Sequence, residues 1–384
     1  MNTSLFISRR LRFKGGLAMT CIAISFLVMI IAVAVSSGFR AEIRKGLSGL
    51  SGDVQITPPN LNVLDQSRPI EKKASYLAQL QNVEGVDSIV PVVYVAGIIK
   101  VDDDIYGALF KGVEEGKEGV SIPRSLAEKA SLTEGSRMTA YFVGDKVRVR
   151  QFNVSSVYDS LVEADDKLII YAGISDLQRL NGWSEDQVSA IEVVLDDKYK
   201  DESSINSRTM EIGYIINAYS EESTSPVIAT SSVSRFPQLF DWLDLIDFNV
   251  LFILVLMTIV AGFNMISGLL IMLFENISVI GLLKALGMTD RAVSKVFLSS
   301  AASMVFKGMI VGNLIAFAFC FIQDKTHLLK LDPANYFVSF VPVNINVGSV
   351  LLADIGSFIV IMLLLLIPTL FISKVDPAQT VRVK

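Results

Sequence analysis

Residues 248–274 read FNVLFILVLMTIVAGFNMISGLLIMLF, a run of 27 residues without a charged side chain. A helix that crosses a hydrocarbon core of about 30 Å needs about 20 apolar residues. At a rise of about 1.5 Å per residue this run extends about 40 Å, so the helix must tilt or project beyond the lipid. The run therefore predicts a long transmembrane helix.

Three other runs along the chain are long and apolar enough to cross a membrane. They lie at 15–39, 296–322 and 355–372. The run at 296–322 is interrupted only by Lys307, whose side chain either snorkels to the inner interface or has a role inside the helix bundle. Asp354 directly precedes the last run, so its carboxylate is predicted to lie at the outer interface.

Basic residues near the first run set the orientation. Arg9, Arg10, Arg12 and Lys14 precede it, so the positive-inside rule predicts a cytoplasmic N-terminus, and four spans return the C-terminus to the cytoplasm. The predicted segments are an N-terminus at 1–14, helix 1 at 15–39, a periplasmic domain at 40–247, helix 2 at 248–274, a cytoplasmic loop at 275–295, helix 3 at 296–322, a periplasmic loop at 323–354, helix 4 at 355–372 and a cytoplasmic tail at 373–384.

Composition excludes several classes of protein. Residues 46–244 hold 18 basic and 31 acidic side chains, and this acidic balance argues against nucleic-acid binding. The two cysteines, Cys21 and Cys320, lie inside apolar runs, and His327 is the single histidine, predicted to be a loop residue near a helix end. Neither a disulfide framework, a metal centre nor a histidine-based triad fits this inventory. We therefore predict a chain without catalytic residues, metal or cofactor of its own.

The domain at 40–247 combines strand and helix patterns. Residues 41–50 read as a helical extension of the first span. Strands are predicted at 53–57, 89–100, 147–157, 167–171 and 190–195, and helices at 71–80, 124–130 and 175–180 with Ser175 as a helix cap. In the strand at 147–157, Arg148 and Arg150 are predicted to face water. Asp102-Asp103-Asp104 reads as a solvated hairpin tip rather than a calcium loop. The predicted fold class is an α-helical membrane protein with four transmembrane helices and an α+β extracytoplasmic domain, of one or two lobes, inserted between helices 1 and 2.

The loop after the quoted run, ENISVIGLLKALGMTDR at 275–291, is the most informative segment. Apolar residues at 277, 280, 283 and 286 predict a short helix with an apolar stripe. Gly287 is suited to end it in a left-handed conformation, and Thr289 to cap the next helix. Two interpretations remain open from the pattern alone: an interfacial helix lying on lipid, or a coupling helix that fits a groove on a partner ATPase.

This loop resembles the segment shared by the FtsX/LolC/LolE/MacB permeases. The resemblance rests on Glu275, Ile280, Leu283-Lys284-Ala285, Gly287, Val293 and Phe297. Further stretches are similar to LolC and LolE in particular: Gly38-Phe39 with Glu42 and Leu47-Ser48-Gly49-Leu50, Asp241-Trp242-Leu243, Phe263-Asn264-Met265-Ile266-Ser267, and Asp376-Pro377-Ala378 with Arg382. The chain departs from the family where Met288-Thr289-Asp290-Arg291 replaces a stretch that is commonly rich in arginine.

The resemblance implies a MacB-like type VII ABC permease in the bacterial inner membrane. It implies that the loop is the coupling helix, with the residues Glu275, Ile280, Gly281, Leu283, Lys284, Ala285, Leu286, Gly287 and Met288 as the ATPase-coupling set. The implied partners are a cytoplasmic ABC ATPase dimer that binds ATP and Mg, a second permease subunit, identical or homologous, lipoprotein clients, a periplasmic lipoprotein carrier and membrane lipid. The implied activity is extraction of lipoproteins from the outer leaflet.

Release of a lipoprotein requires a place for its acyl chains between permease helices. Candidate lining residues are Ile31, Val35, Leu251 and Val255, which could equally be plain lipid-facing or packing residues. Candidate contacts to an anionic headgroup are Arg40, Arg44 and Lys45, which could instead anchor the helix.

Two rival functions remain. The same architecture could serve another client, as in an FtsX-like regulator of wall hydrolases or a MacB-like peptide or drug efflux permease. A membrane scaffold or sensor without an ATPase belongs to a different class, and the coupling-loop pattern argues against it.

Overall fold

The computed structural model describes residues 16–59, 68–101, 104–114, 119–143, 147–159, 168–221, 225–332 and 336–373, with side chains described as far as residue 370. The chain forms two compact units. The membrane unit contains residues up to 41, 242–330 and from 340 onward, and the sheet unit contains 42–241 and 331–339. The predicted N-terminus at 1–14, residues 374–384 of the predicted tail at 373–384, and the residues Asp102 and Asp103 lie outside the described residues.

Four helices in the described ranges are long and apolar enough to cross a membrane. They are α1 (Gly16–Ser51), α7 (Pro237–Glu275), α9 (Asp290–Thr326) and the pair α10 (Val347–Leu364) and α11 (Leu366–Ser373). Helix α1 continues through 41–50 as predicted. Helix α7 begins eleven residues before the predicted span, at Pro237, whose missing N–H and fixed φ suit the first position of a helix.

The predicted loop at 323–354 is too long, because both flanking helices extend into it. Helix α10 begins at Val347, where the Asn346 side chain accepts hydrogen bonds from the backbone N–H groups of the first turn, at 3.0 Å and 3.3 Å. Asp354 therefore lies within this helix rather than before it, and its Oδ2 accepts a hydrogen bond from Asn313 Nδ2 at 2.6 Å. The break between α10 and α11 fits Pro368, whose ring disfavours a helical bond to the carbonyl of Leu364.

The core of the membrane unit joins all four long helices and the short helix α8 (Ile277–Ala285). Its buried members are Ile22, Phe26, Met29, Ala261, Met265, Leu269, Met272, Leu273, Ile280, Val293, Phe297, Ala301, Val305, Ile361 and Leu365. Lys307 is exposed on α9, which favours the snorkelling interpretation over a role inside the bundle. His327 is the residue that ends α9, in a left-handed conformation, and its ring stacks on Phe340 at 3.9 Å.

The sheet unit is built on one nine-stranded sheet with the order β11-β1-β10-β3-β4-β8-β5-β7-β6. The strands are β1 (Val54–Thr57), β3 (Val86–Val101), β4 (Asp104–Val113), β5 (Val120–Pro123), β6 (Arg137–Val143), β7 (Val147–Tyr158), β8 (Leu168–Gly173), β10 (Ala190–Leu195) and β11 (Ile228–Ser231), while β2 (Ile70–Glu71) and β9 (Gln187–Val188) form a separate pair. The helices of this unit are α2 (Leu77–Leu80), α3 (Arg124–Lys129), α4 (Ile174–Asn181), α5 (Glu202–Tyr219) and α6 (Ser232–Arg235).

The long strand β3 organises the sheet. Its first half pairs with β10, from Val86 to Val92, and its second half pairs with β4, from Val93 to Val101. Residues 98–100 of β3 also pair with β6, the last strand in the sheet order, so the strands from β3 to β6 close on themselves. One strand thus connects a closed sheet with the open extension formed by β10, β1 and β11.

Most predicted elements of this unit exist, with shifted ends. The strand at 190–195 has the predicted bounds, while the helix at 71–80 is wrong in its first part, since Glu71 belongs to β2 and the helix is only Leu77–Leu80. Helix α4 begins at Ile174 with Gly173 as its cap, so Ser175 is not the cap residue.

The half-buried pattern predicted for the strand at 147–157 is wrong at its start. Arg148 and Arg150 are exposed as predicted, but Val147 and Val149 are more than half exposed as well. The strand enters the core only from Phe152, whose ring packs beside Phe110 with centroids 5.6 Å apart. Alternation along the chain therefore does not report burial at the start of this strand, where residues on both of its faces are exposed.

The cap of helix α5 gives a pH-dependent contribution to stability. The Asp201 carboxylate accepts hydrogen bonds from Ser204 N at 3.0 Å and from Ser203 Oγ, and these bonds lower its pKa to about 2. We expect Asp201→Ala to lower the free energy of unfolding by about 1 kcal/mol at neutral pH. Because the folded pKa lies below the ordinary value of 3.8, the wild-type cap loses this contribution as pH falls through about 2.

The measurement is the unfolding midpoint of the full chain in detergent at neutral pH and across the acidic range. Asp196→Ala is the matched control, because Asp196 precedes the turn at Asp197–Tyr199 without a capping hydrogen bond from its side chain. Equal midpoints for the two variants at neutral pH would contradict the assignment.

Candidate functional site

The short helix α8 lies between α7 and α9 in the membrane unit. It ends in a Schellman motif: Gly287 has a φ of +86°, its N–H donates to Lys284 O at 2.9 Å, and Met288 N donates to Leu283 O at 3.0 Å. The next helix starts after Thr289, whose backbone is extended and whose carbonyl accepts from Val293 N at 3.0 Å. The turn between α8 and α9 is therefore tightly defined, as predicted from Gly287 and Thr289.

Helix α8 has two apolar faces with different surroundings. Ile280 is 1% exposed, Gly281 is buried, and Leu283 packs against the core of the membrane unit. On the other face Leu282 is 55% exposed and Leu286 is 76% exposed. One face thus holds the helix on the bundle and leaves the second apolar face open.

The open face carries a row of three aliphatic side chains, Val279, Leu282 and Leu286. Their spacing of three and four residues places them on one side of the helix. Glu275, the exposed last residue of α7, stands at the start of this row. We call Val279, Leu282 and Leu286 the open row.

The Lys284 side chain is mostly buried and does not belong to the open row. Its side chain is 9% exposed, and its Nζ lies 2.9 Å from Oδ1 of Asp290, the first residue of α9. The ion pair bridges the turn between the two helices, and the Asp290 carboxylate lies in the first turn of α9, where the helix dipole favours a negative charge. Lys284 therefore contributes to the turn that joins α8 to α9.

The structure divides the predicted coupling set. Glu275, Ala285, Leu286 and Gly287 are exposed, whereas Ile280, Gly281, Leu283, Lys284 and Met288 face the bundle or the turn. The stripe predicted at 277, 280, 283 and 286 is thus mostly the packed face, and the sequence argument missed Val279 and Leu282. The sequence did carry a signal for a second face, because seven of the nine residues of α8 are apolar or glycine and cannot all lie on one side of the helix.

A second cluster joins α1 and α7 within the membrane unit. The Arg40 guanidinium forms an ion pair with Asp247 and lies 3.4 Å from Asp244, and Ser36 Oγ donates to the Asp247 carboxylate. The Phe39 and Trp242 rings meet edge to face at 5.5 Å. The guanidinium predicted to contact a headgroup is therefore already paired with carboxylates.

The other candidate lining and headgroup residues are in mixed surroundings. Leu251 and Val255 are more than half exposed on α7, while Ile31 and Val35 are half buried. Ile31 packs on the cluster of Ile30, Val33, Ala316 and Val350, so the four predicted lining residues do not share one environment. In the sheet unit Arg44 is half buried and Lys45 is exposed.

The four long apolar helices define a multi-pass membrane protein, and the match of residues 16–206 to a periplasmic domain model indicates an extracytoplasmic domain of the periplasmic type. Two family models match it in adjoining parts: the MacB-like periplasmic core domain at residues 16–206, and the FtsX-like permease C-terminal at residues 251–377. The chain therefore belongs to the FtsX/MacB-like family of ABC-type permeases. Members of this family are transmembrane subunits without catalytic activity of their own, and an ABC permease operates with a cytoplasmic ATPase.

Two curated relatives match nearly the whole chain. The lipoprotein-releasing system transmembrane protein LolE of Haemophilus influenzae is 21% identical over 422 residues, which cover 99% of each chain. The lipoprotein-releasing system transmembrane protein LolC of Neisseria meningitidis serogroup B is 21% identical over 393 residues, which cover 94% of this chain and 92% of that one.

Among solved structures, the chain is similar to the periplasmic region of MacB from Actinobacillus actinomycetemcomitans, at 17% identity and a TM-score of 0.31, covering 48% of this chain and 91% of that one. It is also similar to the extracellular domain of the ABC-type transporter YknZ from Gram-positive bacteria, at 13% identity and a TM-score of 0.30, covering 46% and 99%.

Proposed function

We propose that this chain is the transmembrane subunit of an ABC transporter that extracts lipoproteins from the outer leaflet of the inner membrane and transfers them to a periplasmic carrier. The observation that supports lipoproteins as the client is the match to two lipoprotein-releasing proteins across more than nine tenths of the chain. At this coverage the match includes the sheet unit as well as the membrane unit.

The open row is the proposed docking site for the ATPase. A short helix held on its bundle by one face and exposing aliphatic side chains on the other suits a groove on a partner protein. The Schellman turn and the Lys284–Asp290 ion pair connect α8 firmly to α9. A displacement of α8 by the bound ATPase would therefore displace α9 as well. ATP and Mg belong to the ATPase in this proposal.

The proposed orientation places α8 and both termini in the cytoplasm and the sheet unit in the periplasm. The basic residues before α1 support it through the positive-inside rule. A second permease subunit, identical or homologous, would complete the transporter. The exposed face of α7 that includes Leu251 and Val255 is then available to line an acyl-chain site or to face lipid.

Affinity purification of the tagged full-length chain from detergent-solubilised membranes tests the proposal. We expect mass spectrometry to identify an ABC ATPase and N-terminally acylated lipoproteins, both absent from untagged membranes. If an ATPase co-purifies with wall hydrolases, or with no lipidated protein, the assignment as an ABC permease stands and the assignment of lipoproteins as clients is wrong. A preparation without any ATPase would instead favour a scaffold or sensor.

A further inference from the structure

The end of helix α1 lies inside the sheet unit. After Ser51 the chain turns at Gly52, which has a φ of +67° and donates its N–H to Ser48 O at 2.9 Å. A Cβ added to Gly52 would lie 2.9 Å from Cβ of Glu192 in β10, so a residue with a side chain does not fit there. The helix therefore ends in close contact with the sheet.

Cations of the sheet unit bind the last carbonyls of this helix. The carbonyls of a last helical turn have no partner within the helix. Lys111 Nζ, from β4, donates to Leu50 O at 2.9 Å and lies 3.3 Å from Gly49 O, and Arg235 donates to Ser51 O at 3.4 Å. Positive charge at a helix C-terminus is also favoured by the helix dipole.

A buried carboxylate holds Lys111 in this position. Lys111 Nζ donates its third hydrogen bond to Glu192 Oε2 at 2.8 Å, and Tyr94 of β3 donates to Glu192 Oε1. The Lys111 and Glu192 side chains are 3% and 4% exposed. All three ammonium protons of Lys111 thus have acceptors, which is what a buried ammonium requires.

A second carboxylate, that of Asp53, joins the end of α1 to β10, the strand that also contains Glu192. Asp53 Oδ2 accepts hydrogen bonds from Ser48 Oγ at 3.0 Å and from Leu195 N at 2.8 Å. Helix α1 is therefore bonded to β4 through Lys111 and to β10 through Asp53. These contacts link the end of α1 to β10 and β4, the two strands that flank β3 in the sheet.

We propose that Lys111, held by Glu192, is a positioning residue that fastens the end of α1 to the sheet, so that a displacement of α1 moves the sheet with it. The proposal rests on the proposed function, in which the ATPase moves α8 and α9, and it adds that α1 moves with α9 because the two helices share the core of the membrane unit. Without the clamp the last turn of α1 frays, and movement of the helix is lost before it reaches the strands.

A plain contribution to folding is the competing explanation, and a double variant separates the two. Burial already raises the pKa of Glu192, so removing Lys111 alone would leave a buried carboxyl group without its counter-charge. Lys111→Met combined with Glu192→Gln removes both charges at nearly constant volume and keeps an acceptor for Tyr94. Arg124→Met with Asp159→Asn is the matched control, since that ion pair lies exposed on the same unit.

The experiment is hydrogen exchange measured by mass spectrometry on the full chain with its co-purified ATPase in nanodiscs, with and without ATP and vanadate. In the double variant we expect amides of residues 46–52 to exchange about tenfold faster without nucleotide, from the loss of charge-assisted hydrogen bonds. With nucleotide, the wild type and the control should change their exchange in both α1 and β10, and the double variant in α1 alone.

Unchanged exchange at 46–52, or a nucleotide response in β10 that persists in the double variant, would overturn the proposal. Loss of the whole sheet's protection in the double variant would overturn it as well, since Lys111 would then serve folding. Failure of the proposed function looks different: the ATPase would be missing from the preparation, and exchange at 46–52 without nucleotide would still decide whether the clamp exists.

Discussion

Replacing Leu282 and Leu286 by glutamate should abolish co-purification of the ATPase while the chain remains folded. Both side chains are exposed in this structure, so their replacement leaves the core of the membrane unit intact. In the proposed complex they are buried, and the loss of two leucine contacts, at about 1.5–3 kcal/mol each, corresponds to a loss of affinity of about 100-fold or more. Burial of two carboxylates would add to that cost.

The measurement is the amount of ATPase retained per permease after affinity purification. Leu328→Glu is the matched control, because Leu328 is 71% exposed in the same unit, after the end of α9. Ile280→Ala should behave differently from both, lowering the stability of the chain, since Ile280 is buried in the core. Full retention of the ATPase by the double glutamate variant would show that the open row is not the docking site.

Gly312→Leu should prevent the membrane unit from folding. A Cβ on Gly312 would lie 2.4 Å from Ala23 O, and a Cβ on Gly308 would lie 2.7 Å from Ile22 Cγ2. These two glycines, one helical turn apart, let α9 approach the backbone of α1. A leucine at this contact forces the two helices apart, at a cost of about 3 kcal/mol or more.

Size-exclusion profiles and unfolding midpoints in detergent measure this effect. Gly356→Leu is the control, because a Cβ on Gly356 of α10 would meet no atom within 4 Å. We expect the control to match the wild type and Gly312→Leu to aggregate or to unfold at a much lower temperature. A monodisperse Gly312→Leu protein with the wild-type midpoint would contradict the packing of α1 against α9.

The transmembrane helices could be predicted because their signal is local. An uncharged run of sufficient length has few alternatives to a membrane-spanning helix. The ends of the helices depend on other features. Helix α10 starts at the cap residue Asn346, eight residues before Asp354, and a charged residue near the end of an apolar run does not mark the end of a helix.

The sheet unit was predicted less completely because its decisive contacts are distant in sequence. Strand β4 reads DIYGALFKGV, and a lysine in such a strand is normally expected to face solvent. Its acceptor Glu192 lies 81 residues away, and Leu50 lies 61 residues away in the other direction. No pattern in the sequence around Lys111 indicates that its ammonium group has three hydrogen-bond acceptors in the core.

In the candidate site, the helix and its ends could be predicted from the sequence, whereas its exposed face could not. The helix at 277–285, its end at Gly287 and the start of α9 follow from residue types with strong conformational preferences. Which apolar face is open depends on the position of the bundle, and the two polar residues of α8 do not mark it, because Ser278 is exposed while Lys284 is mostly buried at the turn. Two glycines four residues apart, at 308 and 312, are a pattern typical of close helix packing, and the contact of α9 with α1 was not predicted from it.

Reconstitution of release tests the central claim most directly. The full chain with its co-purified ATPase is placed in proteoliposomes that contain a fluorescent triacylated lipoprotein, and the soluble fraction is assayed after addition of ATP and a purified lipoprotein carrier. We expect release of lipoprotein to require ATP and to be lost in the Leu282→Glu, Leu286→Glu variant. ATP hydrolysis without any release of lipoprotein would contradict it.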